Sequence, residues 1–151
     1  MSLIQKMLGA AAAIVVGLSL AVAGGAAPAQ AVGASICGSG FYNIDSASVK
    51  GDGYTWGTVY LAYNSSKKQN CVYMNKSRYV GSPTWTSAWI TVEGGYGSRT
   101  DEGFFSYYAA TNPIYAPSGR CVRWGGTGSN QDGDNYNAIG GSYVSPWEHC
   151  G

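Results

Sequence analysis

"YTWGTVYLAYN" (Tyr54–Asn64) decides the fold. Val59, Leu61 and Tyr63 recur at every second position, which gathers them on one face of an extended chain; a helix would scatter them. Upstream, "FYNIDSASV" (41–49) leads into Gly51-Asp52-Gly53. Asp-Gly accepts the positive φ that a tight hairpin needs, so the two segments read as paired strands. Downstream, the polar residues 65–69 hold Lys67 and Lys68 in a second hairpin loop, and "NCVYMNKSRYV" (70–80) returns antiparallel.

Further on, "TWTSAWITVE" (84–93) interleaves two sets of residues. A slip of one residue would exchange them, so only one set faces the core. The even set, ending in Ala88, Ile90 and Val92, is assigned inward, which leaves Trp85 and Trp89 outward. Gly94, Gly95 and Gly97 predict a turn, "GFFSYYAA" (103–110) a strand, and Asn112-Pro113 its end. In "YAPSGRCVRWGG" (115–126), Pro117 and Gly119 suit the second and fourth places of a type I turn, ahead of a short strand at 120–124. Residues 125–141 are mostly Gly, Asn, Asp and Ser and read as a long loop, either functional or without fixed structure. Residues 142–147 predict a last strand, put at a sheet edge by Pro146. No helical period of ten or more residues occurs after residue 31. The expectation is an all-β domain, a small antiparallel β-sandwich or barrel.

The amino terminus predicts export. Lys6 is followed by an apolar run over 7–23 and then by Ala29-Gln30-Ala31, the charged, hydrophobic and A-x-A regions of a cleavable signal peptide spanning 1–31. Removing 31 of the 151 residues leaves 120, a single domain at 32–151. That part carries eight basic and eight acidic residues. Without a basic excess, little counterion release is available, which argues against nucleic acid and, once the signal is removed, against a membrane.

Cys37, Cys71, Cys121 and Cys150 all lie within the domain. An even number in an exported chain reads as two disulfides that staple a small core. Four cysteines allow three pairings. Cys37–Cys71 with Cys121–Cys150 is favoured, because the second bond would restrain the Gly/Asn loop; Cys37–Cys150 with Cys71–Cys121 stands almost level. No C-x-x-C pair exists, so neither a metal centre nor any cofactor is expected.

"CGSGFYNIDS", "VYLAYN", "NCVYM", "CVRWGG" and the terminal "EHCG" together resemble the small secreted actinobacterial proteins typified by spore-associated protein A. The resemblance runs from Cys37 to Gly151. It implies an extracellular protein recoverable from the cell or spore surface, and it implies no catalytic residue.

The remaining motifs have simpler readings beside the functional ones. His149, the chain's one histidine, lies between Glu148 and Cys150. No G-x-S-x-G or H-E-x-x-H signature accompanies it, so a polar residue on a pinned tail outweighs a catalytic base. Asp45, Glu93, Asp101, Glu102 and Glu148 supply enough carboxylates for glycoside hydrolysis, but nothing in their spacing selects a dyad. "DGDN" (132–135) suits a turn better than calcium, lacking the distal glutamate of an EF-hand. The aromatics say more: five Trp and twelve Tyr exceed what a small core buries. Trp85 and Trp89, four strand residues and roughly 13 Å apart, could carry a sugar chain across their rings with Tyr107 and Tyr108 nearby. The simpler reading puts one or both indoles inside a second sheet layer. The expected function is therefore a secreted, non-enzymatic protein of the cell or spore surface. The alternatives are a carbohydrate-binding module directed at cell-wall or spore-surface polysaccharide, and a secreted hydrolase or hydrolase inhibitor working through 125–141.

Overall fold

A computed structural model describes residues 32–133 and 137–151; the signal peptide expected at 1–31 lies outside the described residues. Among the described residues, a single 3-10 turn, Ala34–Cys37, precedes elements that are all strands: β1 (Tyr42–Gly51), β2 (Tyr54–Asn64), β3 (Gln69–Lys76), β4 (Thr84–Val92), β5 (Gly97–Phe105), β6 (Tyr108–Ala110), β7 (Ile114–Tyr115), β8 (Val122–Ser129) and β9 (Gly140–Val144). They form one antiparallel sheet in the order β5-β4-β8-β9-β1-β2-β3-β6, with β7 also on β3. The hairpin expected at Asp52-Gly53 is present: both residues have positive φ, 51° and 78°, and Gly51 faces Tyr54.

The sheet curls into a nearly closed barrel. Its two end strands meet because only Ser106 and Tyr107 separate β5 from β6. Side chains complete the seam. Asp101 on β5 accepts a 2.8 Å hydrogen bond from the Ala110 N–H on β6. Lys76 Nζ donates to the Phe105 carbonyl (2.8 Å), the Ser82 carbonyl (2.8 Å) and Thr84 Oγ1 (2.7 Å). Burial lowers the Lys76 pKa to about 8, since its acceptors are neutral oxygens.

Register explains the core. Leu61 faces Val72 and Val59 faces Met74 across β2 and β3; Ile90 faces Trp124 and Val92 faces Val122 across β4 and β8. All eight are buried. Each large aliphatic side chain so placed contributes roughly 1.5–3 kcal/mol relative to exposure. Trp56 breaks the alternation because it is the extra residue of a bulge: Val49 faces Gly57, but Lys50 faces Thr55. That irregularity lets an even-numbered indole join the core beside the odd-numbered set.

The segment 125–141 is a correction. β8 continues through Gly125 to Ser129, so the loop is shorter than its composition predicts. The glycines are there for space. A Cβ on Gly126 would sit 2.6 Å from the Ser87 carbonyl oxygen, and one on Gly128 would sit 2.9 Å from Met74 Cε. β9 is also interior, between β8 and β1, and ends before Pro146. The segment read as one strand from Gly103 divides into β5, which begins at Gly97, and β6. The turn near Pro117 is shifted by one: Arg120 N donates to the Pro117 carbonyl (3.1 Å), and Gly119, in third place, has φ 79°.

Outside the barrel, the 3-10 turn covers β2 and β3. Cys37, Ala62, Cys71 and Tyr73 form a second, smaller core, with Tyr60 stacked 4.9 Å from Tyr73. Asn75 grips the main chain of Val32, accepting from its N–H (3.1 Å) and donating to its carbonyl (2.8 Å). The disulfides are Cys37–Cys71 and Cys121–Cys150, the favoured pairing, closing separations of 34 and 29 residues. Each stabilises by roughly 3–4 kcal/mol in the chain-entropy account.

Candidate functional site

Two regions gather chemically useful side chains. The first is the outer face of β4. Ala88, Ile90 and Val92 point inward as expected, and Trp85 and Trp89 point outward, each half-buried. No second layer covers them among the described residues. Trp89 lies over Gly125 of β8, where a Cβ would come within 2.7 Å of the indole. Trp85 meets Phe104 of β5 edge-on at 5.4 Å. Phe104 is 45% exposed, and Val144, paired with Gly125, is 49% exposed. The result is a shallow apolar band, crossed at its centre by the Ser87–Thr127 hydroxyl pair (2.8 Å).

Tyr107 and Tyr108 do not extend that band along β4. They lie at the barrel seam, where they line a depression of about 250 Å³ with Asp101, Phe105 and Ser106. Tyr107 is 47% exposed and Tyr108 pairs with Asn75.

The second region is the barrel end crossed by the carboxy-terminal segment. Beyond β9, Glu148 and Val122 exchange backbone hydrogen bonds (2.8 and 3.0 Å), and Cys150 is bonded to Cys121. The tail is thus held along β8. Trp124, fully buried, donates its indole N–H to Glu148 Oε1 at 2.7 Å. His149 has φ 51°, and its Nε2 lies 2.9 Å from Asp45 Oδ2. Asp45 reaches this end because Ile44 is a second bulge residue, after which Asp45 faces Leu61. One donor atom from each of Asp45, Glu148 and His149 lies within 4.8 Å of the others. Tyr143, beside Trp124, has a raised pKa, through burial first and then through the charges of Glu148 and Asp45. His149 borders a cavity of about 310 Å³ lined also by Ile44, Tyr63, Asn70 and Arg120.

The other carboxylates named from sequence are apart. Asp101 closes the seam, Glu93 accepts from Cys121 N (3.3 Å), and Glu102 is exposed on β5. Asp132 is exposed, whereas Asp134 and Asn135 of the "DGDN" turn lie outside the described residues. An aromatic cage went unread in the sequence: the Arg78 guanidinium lies 4.1 Å from the Tyr54 ring centre, 5.6 Å from Trp56 and 5.9 Å from Tyr79. Arg and Tyr in "KSRY" carry no local signal for it.

These features define a class: a small, antiparallel, disulfide-stapled barrel with an outward aromatic band and a cross-linked tail. No family model and no solved structure matches the chain. Spore-associated protein A of Streptomyces coelicolor does: it is 37% identical over 137 aligned positions, which cover 86% of this chain and 84% of that protein. The chain belongs to the spore-associated protein A family.

Proposed function

We propose that the protein is exported and works without catalysis at the cell or spore surface. The observation that carries this reading is the 37% identity to spore-associated protein A across most of both chains. The two disulfides support it, since such bonds persist in oxidising compartments. Fractionating a producing culture tests the reading. The protein is expected in the culture fluid or the spore wash, starting at Val32. Retention in the cytoplasm with residues 1–31 attached would overturn it.

A second reading, polysaccharide binding, is favoured by one observation: Trp85 and Trp89 both present indole surface on the outer face of β4. Flat, rigid rings offer a sugar contact area at little entropic cost. Pull-down on chitin, cellulose and peptidoglycan checks it. Retention that disappears in the Trp85→Ala, Trp89→Ala double variant supports binding; no retention on any of the three removes it.

A further inference from the structure

We propose that Asp45, Glu148 and His149 bind a divalent transition-metal cation of the zinc type, each through one donor atom. The donor set is mixed. An imidazole beside two carboxylates selects zinc and its neighbours over calcium and magnesium, which favour oxygen-only shells. Metal bonds of 2.0–2.1 Å, at angles between octahedral and tetrahedral, put adjacent donors about 2.8–3.4 Å apart. His149 Nε2 and Asp45 Oδ2 are 2.9 Å apart. The Glu148 donor lies within 4.8 Å of both, so the carboxylates would have to draw in toward His149 when an ion binds.

Charge and support point the same way. Asp45 and Glu148 bring two negative charges together, and among the described residues no Lys or Arg nitrogen lies within 4.0 Å of either. A divalent ion would balance them. The supporting shell is already rigid: the buried Trp124 indole orients Glu148, the Val122 backbone holds its main chain, and Cys121–Cys150 fixes the residue after His149. Such outer contacts keep ligands in place before an ion arrives. The side chains of His149 and Asp45 are 30% and 37% exposed, so an ion has a path in. Three protein donors leave a fourth position open, and the cavity beside His149 gives room for water or a small ligand there.

Calorimetric titration of the disulfide-bonded protein with Zn²⁺, and the visible absorption of Co²⁺ added in its place, test the site. One ion per chain is expected, together with a rise in Tm. Asp45→Asn and His149→Ala should each weaken binding at least about 100-fold, beyond the 10–100-fold typical of losing an outer-shell contact. Glu148→Gln keeps an acceptor for the Trp124 indole while removing the charge, and far-UV circular dichroism shows that each variant is folded. The proposal is overturned if Zn²⁺ binding does not saturate, if it survives in His149→Ala, or if Ca²⁺ and Mg²⁺ bind equally well. None of these outcomes bears on where the protein resides, so the surface reading stands or falls separately.

Discussion

His149 Nε2 lies 2.9 Å from Asp45 Oδ2, joining residues 104 apart in the chain. The pair ties the carboxy-terminal segment to β1 at a partly exposed point. Exposed pairs are worth about 0.2–1 kcal/mol. In metal-free buffer, Asp45→Asn is therefore expected to lower unfolding stability by no more than about 1 kcal/mol, measured by urea denaturation.

The covalent link at the next residue, Cys150, should matter more. A Cys121→Ser, Cys150→Ser double variant is expected to lose about 2–5 kcal/mol, the usual cost of removing a native disulfide from a small domain. If its loss matches that of Asp45→Asn, the tail is held by β8 pairing alone.

Glycines 126 and 128 differ in what blocks a side chain. At Gly126 the obstacle is the Ser87 carbonyl, and at Gly128 it is the far end of Met74 at 2.9 Å together with the Trp56 Cβ at 3.0 Å. Gly126→Ala should destabilise more, whereas Gly128→Ala should fall within the roughly 1–3 kcal/mol of an overpacked core. Shortening the neighbour should relieve the second: the penalty of Gly128→Ala is expected to shrink in a Met74→Ala background. Additive losses in that double-mutant cycle would contradict the contact.

Lys76 makes stability depend on pH. Its folded pKa of about 8 lies below the ordinary value of 10.5, so between those values the unfolded chain binds more protons. Stability from this group therefore rises with pH across that window, and the burial penalty is fully present below about 8. Tyr73 and Tyr143 oppose it from about pH 10 upward, because their raised folded pKa values mean the unfolded chain ionises first. Urea midpoints from pH 7.5 to 9.5 should rise in the wild type relative to Lys76→Met. Parallel curves would show that the ammonium is not desolvated.

Much of the architecture was legible because alternation is a strong signal. In 54–64 and 84–93 it identified the inward faces of β2 and β4, and with them a barrel or sandwich. The glycine-rich half of β8 was not legible. Its residues resemble a loop by composition, but they are small because Trp89, Met74 and Trp56 occupy the adjoining space. The polar start of β5 was hidden for a different reason: an exposed end strand needs no apolar period, and Gly97 looked like part of a turn. At the barrel end, Glu148 and His149 adjoin in sequence, but nothing local connects them to Asp45. That meeting depends on a bulge at Ile44 and on a tail lying along β8, and both arise only from long-range pairing.

The Asp101 carboxylate spans β5 and β6 where a main-chain rung would otherwise stand. Both are outermost strands, and outermost strands are templates for unwanted growth between molecules. One acidic group therefore guards two raw margins at once, tethering them to each other and placing a charge where a foreign strand would have to dock. The consequence expected of such an edge is resistance to association at high concentration, a property invisible in the stability of a single dilute chain.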